Sequence, residues 1–181
     1  MDYSAASDEE LMVCIARQDQ HAFSQLIDRH LTKGVRFCTR MVGMQDVAED
    51  IVQEAFMKIW KHAAVWRAEA KFTTWFFAVL HNAALNVIRR RGVRKEHVLE
   101  DVHESSDMPQ DQHYIRQEKA RLVQAALEEL PERQKTAIIL SYYEELSQKE
   151  AAAVLGVSEG ALESLLTRAR KNLEELLRQR L

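Results

Sequence analysis

Ser158, Glu159, Gly160, Glu163, Ser164, Thr167, Arg168 and Lys171 fall at spacings that turn them outward on one amphipathic helix, and their chemistry suits nucleic acid. Short polar side chains near a helix start can reach base edges, and the basic pair Arg168 and Lys171 can neutralise phosphates. The helix's other face is the apolar stripe Leu162, Leu165/Leu166, Ala169, Leu173 and Leu176/Leu177. Ahead of it, Ser147-Gln-Lys-Glu150 fits a capping box, Ala151 and Ala152 are small enough for two helices to approach closely, Gly156 can supply a positive φ, and Ser158 can cap the second helix. The pattern matches a helix-turn-helix, although a plain antiparallel helix pair with a solvated charged face has the same spacing. Glu163 is unfavourable toward a polyanion but can accept from a cytosine amino group, which trades affinity for specificity.

Two further rows could do chemistry. Asp46, Glu49, Asp50, Gln53 and Glu54 line the polar side of a helix over about 46–62, opposite Val47/Ala48, Ile51/Val52, Ala55/Phe56 and Ile59/Trp60. An acidic and amide strip of this kind suits a basic protein surface; acids near a helix start are also the ordinary content of a solvated face. A dimetal carboxylate site is the weaker option, because no Glu-x-x-His pair lies on this helix. On the next helix Thr74, Ala78, His81, Asn82, Leu85 and Arg89 lie away from the stripe Phe72, Trp75/Phe76, Val79/Leu80, Ala83/Ala84 and Val87/Ile88, and the helix ends in Arg89-Arg90-Arg91-Gly92, with Gly92 expected just past its end. His81 is expected on the surface as a polar residue, without ligand partners at metal-binding spacing. In the break before this helix, Arg67 and Lys71 can meet phosphates, and Trp66 is read as a core lid in preference to a stacking platform.

The elements that must position these rows are all helical. With 46% hydrophobic and 29% charged residues but five Gly and two Pro, the chain reads as ordered and helix-rich, an all-α protein of two small helical domains on a flexible linker. Residues 1–97 carry 14 basic and 12 acidic groups, 98–117 one and five, and 118–181 ten and eleven. The middle segment has little apolar periodicity and reads as an acidic linker between a first domain over 1–97 and a helix-turn-helix domain over 118–181. Within the domains, helices are expected over about 8–17, 22–44 and 114–130, and Pro131 is placed as the first residue of the next, which runs through Tyr143. Cys14 and Cys38 are too few for a disulfide scaffold and are read as small buried hydrophobes in a reducing cytoplasm. No apolar run approaches a membrane span, and Asp2, Asp8, Glu9 and Glu10 stand where an export signal would be basic. The net charge of −3 alone argues against nucleic acid, but the basic residues gather at 89–95 and 168–171.

Taken together, Asp46–Trp60, Phe72–Arg90 and Leu130–Leu173 resemble, in that order, regions two and four of the extracytoplasmic-function (ECF) class of bacterial RNA polymerase sigma factors. The resemblance implies a transcription initiation factor with no catalysis, metal or cofactor. It implies that Asp46, Glu49, Asp50, Gln53 and Glu54 bind the clamp of the polymerase largest subunit. It implies that Trp66, Lys71, Thr74, Asn82, Arg89 and Arg90 melt and read the minus-ten element, trapping bases as they unstack. It further implies that the helix-turn-helix docks on the polymerase flap and reads the minus-thirty-five element through Ser158, Glu159, Gly160, Glu163, Ser164, Thr167, Arg168 and Lys171. An anti-sigma protein is an expected partner. Glu163 and Leu165 stand where the family commonly has a basic residue, which makes Arg168 and Lys171 the safer contacts. Two other readings are a stand-alone helix-turn-helix regulator, whose mark would be a palindromic site bound without polymerase, and, remotely, a helical-bundle metalloenzyme using Glu49, Glu54 and scattered His residues.

Overall fold

The computed structural model describes residues 3–92 and 110–180, with side chains over 3–91 and 118–180. The first unit holds α1 (Asp8–Ile15), α2 (Gln20–Val42), α3 (Gln45–His62), a 3₁₀ turn (Ala63–Val65) and α4 (Phe72–Gly92). The second holds α5 (Gln110–Glu128), α6 (Glu132–Ile138) continuing into a π-helical turn (Ile139–Tyr143), α7 (Gln148–Leu155) and α8 (Glu159–Arg178). No strand occurs among the described residues.

The first unit closes around aromatic side chains. Phe72 and Phe76 are fully buried and stack at 5.7 Å between centroids; Phe76 also meets Phe56 at 5.3 Å, and Phe77 meets Phe37 edge-on at 5.2 Å. These rings draw α2, α3 and α4 together, and each buries far more apolar area than an aliphatic side chain would. Gly34 lies inside α2 and lets α4 come close: a Cβ there would meet Phe76 Cζ at 3.2 Å and Leu80 Cδ1 at 3.3 Å. Small size at a crossing, not a break, is what this glycine supplies. Cys38 is buried and its thiol is pushed up by that burial, while Cys14 is half-buried.

Caps set the helix limits. Ser7 and Glu10 form a full capping box on α1, and Asp19 accepts from His21 and Ala22 at the start of α2. The N-terminus of α4 is capped from far away: Glu9 Oε1 accepts from the Phe72 amide at 2.8 Å. Behind that cap, Asp8 takes Arg29 and His30 together. Burial alone would raise the Asp8 pKa, but the His30 and Arg29 hydrogen bonds and charges outweigh it and hold the carboxyl below its ordinary value.

Several expected limits move. Helix α2 runs Gln20–Val42, and α5 starts at Gln110, taking the last eight residues of the segment read as linker; residues 98–109 lie outside the described residues. Gly92 is helical, not the residue past the helix end, and Arg94 and Lys95 lie outside the described residues. Pro131 sits one position before its helix, with ψ 135 and the first helical residue at Glu132. The helix expected to run on through Tyr143 widens at Ile139, where the Glu144 amide donates to the Ile139 carbonyl at 3.1 Å. The extra residue per turn brings Tyr142 toward Arg170 and lays Tyr143 under Arg40, 4.2 Å from guanidinium carbon to ring centroid.

The two units share one continuous apolar cluster. Two carbonyls at the end of α2, which no helical N–H can reach, find donors in the second unit: Gln124 Nε2 donates to Arg40 O at 3.4 Å and Lys135 Nζ to Met41 O at 2.8 Å. A cation at that end also complements the helix dipole. Burial nonetheless lowers the Lys135 pKa to about 8, the nearby Glu128 acting in the opposite sense. Glu144, raised by burial against the pull of Arg40, Arg36 and Lys33, sits with Lys33, Arg36, Arg40 and Tyr143 around a small polar recess.

Candidate nucleic-acid interface

The helix-turn-helix forms from its local signals. Ser147 Oγ accepts from the Glu150 amide at 3.3 Å while Glu150 Oε2 accepts from the Ser147 amide at 3.0 Å. Gly156 turns the chain at φ +64, a conformation that costs a side-chain-bearing residue energy, and Ser158 Oγ then accepts from Ala161 to start α8. Ala151, Ala152, Val154, Leu162, Leu166 and Ala169 are buried where α7, α8 and α6 meet. Ser158, Glu159, Gly160, Glu163, Ser164, Thr167, Arg168 and Lys171 are all exposed. Ser164 and Thr167 donate back to the Gly160 and Glu163 carbonyls, each at 3.0 Å, so their oxygens face outward chiefly as acceptors. Arg170 leans over Tyr142 at 5.7 Å, which leaves Arg168 and Lys171 as the outward cations of this cluster.

On α3, Asp46, Glu49, Asp50, Gln53 and Glu54 are exposed, and Ala48, Ile51, Val52, Ala55, Phe56 and Ile59 are buried beneath them. Within the strip, Gln45 donates to Glu49 at 2.9 Å and Lys58 stands 3.8 Å from Glu54. Such exposed pairs are worth little and yield readily to a better-matched partner.

The polar row on α4 divides. Asn82, Arg89 and Arg90 are exposed, as expected for side chains that reach a ligand. Thr74 and His81 are only 6% exposed and Leu85 is buried beside them. His81 is therefore not the surface residue that periodicity suggested: it is buried on α4, a helix that packs on α2 and α3 and also meets α7. Neither ring nitrogen of His81, nor Thr74 Oγ1, has a hydrogen-bond partner among the described residues. Burial alone lowers the His81 pKa to about 4. Lys71, just before α4, is exposed but paired, its Nζ 2.8 Å from Glu150 Oε1 on α7. The hydrogen bond to Lys71 is the main reason that the Glu150 carboxyl drops to about 2, and the same pair raises Lys71.

Trp66 is half-buried and packs edge-on to Trp75 at 6.4 Å, in keeping with a lid. It also walls an apolar recess of about 430 Å³ with Met12, Val13, Ala16, Ala63 and Ala68. Sequence reasoning missed Glu9 and Lys135, and read Glu150 only as half of a capping box and not as the partner of Lys71. The Ser7-x-x-Glu10 box was readable and places Glu9 in a first helical turn, but no local signal pairs it with Phe72. Among the described residues no group of three or more His, Cys, Asp or Glu could hold a metal ion, and no helix is long and apolar enough to cross a membrane.

The sequence matches the family model for Sigma-70 region 2 over residues 26–94 and that for Sigma-70, region 4 over residues 120–173. The ECF RNA polymerase sigma-E factor of Haemophilus influenzae is 30% identical over 179 residues, covering 93% of this chain and 94% of that protein. The chain belongs to the ECF RNA polymerase sigma factors. Sigma factor SigM of Mycobacterium tuberculosis is 32% identical over 171 residues, covering 94% of this sigma factor and 85% of its relative. Among solved structures, CnrH in complex with the cytosolic domain of CnrY aligns with TM-score 0.74 at 27% identity, over 95% of this chain and 97% of that one. The sigma factor RpoE in complex with the anti-sigma factor NepR, from Bartonella quintana, aligns with TM-score 0.70 at 27% identity, over 86% and 96%. The sigma factor's region-two match spans most of α2 through α4, and its region-four match spans the second half of α5 through most of α8.

Proposed function

We propose that this sigma factor divides promoter-directed initiation among three surfaces. The acidic strip of α3 binds the clamp of core polymerase, the exposed edge of α4 with Lys71 captures the melted minus-ten strand, and the outward half of α8 reads the minus-thirty-five element while its domain docks on the flap. It works in the cytoplasm as a binding factor without catalysis of its own. The observation that carries this reading is that the α3 strip and all eight α8 residues stand exposed while the apolar faces of both helices are buried, the strip acidic and the α8 row mixed with the outward cations Arg168 and Lys171. Opening a duplex costs roughly 1.4 kcal/mol per base-pair step, so a factor without ATP must hold the bases it frees; Asn82, Arg89 and Arg90 supply hydrogen bonds and charge for that. The structures of CnrH with CnrY and of RpoE with NepR support an anti-sigma protein as the controlling partner here too.

In vitro transcription with purified bacterial core polymerase on a promoter library tests the reading; no start sites above the core-alone background, with folded protein, would sink it. Within that assay Asp50→Lys is expected to weaken core binding about 10- to 100-fold, as reversal of one interfacial charge does. Arg168→Ala should weaken upstream-element binding about tenfold across sequences and reduce the salt slope by about one, whereas Asn82→Ala should leave duplex affinity and slow open-complex formation. Loss of duplex affinity alone in both variants would refute the division of labour.

A further inference from the structure

From Glu159 to Thr167, the exposed side chains of α8 present hydrogen-bond acceptors and no free donor. Ser164 and Thr167 spend their hydroxyl protons on the Gly160 and Glu163 carbonyls. Glu159 and Glu163 are exposed one turn apart, and neither carboxylate has a hydrogen bond or ion pair among the described residues. Cations enter the outward face only later, at Arg168 and Lys171. Nothing inside the chain requires this pattern. Like charges four residues apart destabilise an exposed helix, and the macrodipole, which favours Glu159 in the first turn, fades before Glu163. Gly160 shares the outward face, and a Cβ there would meet nothing of the chain within 4 Å. No packing contact therefore calls for a glycine that is less favourable than alanine in a helix.

We propose that Glu163 is a specificity-determining residue for the upstream element: its carboxylate accepts from the amino group of a cytosine, and the bare backbone at Gly160 lets the base edge close on the helix. The inference rests on the assignment of α8 to the minus-thirty-five element. A recognition helix meets base edges with its N-terminal residues, the half of α8 that holds only acceptors. In the major groove guanine and thymine show acceptors alone, whereas adenine and cytosine show an amino donor. An acceptor-only side chain repels the first two and pairs with the others. Adenine carries an acceptor nitrogen beside its amino group, against which the second carboxylate oxygen would stand; cytosine carries a C–H there. Glutamate at this place therefore fits cytosine, and an amide in its stead fits adenine. The contact discriminates more than it holds, because Glu163 also repels the phosphates, and Arg168 and Lys171 supply the attraction.

Holoenzyme assembled from the full chain and purified bacterial core polymerase is presented with promoter duplexes randomised over the upstream element, and the bound fraction is sequenced. The parent is expected to select a C·G pair at one position where Glu163→Gln selects an A·T pair and Glu163→Ala selects neither. At that position, an analogue that keeps the pyrimidine ring but lacks the exocyclic amino group should weaken the parent about tenfold more than it weakens Glu163→Ala. The comparison cancels whatever the analogue does to the duplex itself. Glu175→Gln removes the same charge from an exposed place further along α8, and should strengthen binding to all sequences without moving the preference. Gly160→Ala should weaken binding to the selected duplex about tenfold while circular dichroism shows no loss of helix. Identical base preferences in the parent and Glu163→Ala, an equal effect of the analogue on both, or a Glu163-dependent position that is A·T in the parent would overturn the role of Glu163. A selected element that is indifferent to Glu163 removes that role alone. Absence of any selected upstream position, with Arg168→Ala binding every duplex as the parent does, removes the assignment of α8 and the role of Glu163 with it.

Discussion

Phe76→Ala is expected to lower unfolding stability by about 3–5 kcal/mol, the usual cost of removing a buried phenyl from a core that cannot fully collapse. Phe76 has 0% exposure and lies between Phe72, Phe56 and Phe77, with His30 at 5.7 Å and Gly34 pressed against its ring. The cavity would open where α2, α3 and α4 all meet, so no single helix can shift to fill it. Against a total stability of about 5–15 kcal/mol, such a loss is a large fraction of the whole. Urea titration by far-ultraviolet circular dichroism checks this, with Val79→Ala, on a half-buried position of the same helix, expected to cost about 1 kcal/mol. A loss below 1 kcal/mol for Phe76→Ala would mean that the aromatic stack is not the organising core. The functional corollary is that polar rows on α3 and α4 keep their spacing only while this stack holds.

Acid should destabilise the packed chain through His81. The ring's pKa is about 4 when buried and 6.5 when it meets water, so between these values the unfolded or undocked chain binds a proton that the packed chain refuses. Stability therefore falls as pH falls, by about 2 kcal/mol at pH 5 and about 3 kcal/mol at pH 4 relative to neutral pH. The carboxyls Asp8 and Glu150, both depressed, contribute stability that is present above their ordinary pKa values and lost only as pH falls through the lower folded ones, below about 4.5. Glu144, raised by burial, acts in the opposite sense. His81→Leu leaves all of these in place, so the difference between parent and variant isolates the imidazole. Urea midpoints from pH 7.5 to 4.5 should separate progressively, the variant losing less; parallel curves would show that His81 meets water in the folded chain.

Features governed by near neighbours were legible in the sequence. Ser147, Glu150, Gly156 and Ser158 announce two helices and a turn because a cap and a left-handed glycine act within four residues, and the α3 strip follows from a stripe that is buried on one side only. The α4 row misled for the complementary reason. Its apolar stripe accounts for the face toward α2 and α3, but Thr74, His81 and Leu85, which periodicity had turned outward, are buried on a helix that α7, from about seventy residues further on, also packs against. Lys135 reads as an ordinary surface lysine until α2's unpaired carbonyls are set beside it. The π-helical turn has no sequence signature, since its consequence is a placement of Tyr142 and Tyr143 against cations from other elements.

The Glu9 cap on α4 spans 63 residues, and the aromatic stack that joins α2, α3 and α4 is complete before residue 92. In synthesis that unit can therefore finish while the helix-turn-helix is still unmade. Translation at about 5–20 residues per second puts roughly 3–13 seconds between the end of α4 and the end of α7, which packs on it. During that interval the first unit stands without the second, so order of synthesis, and not folding alone, decides which contacts the surface of α4 can make first.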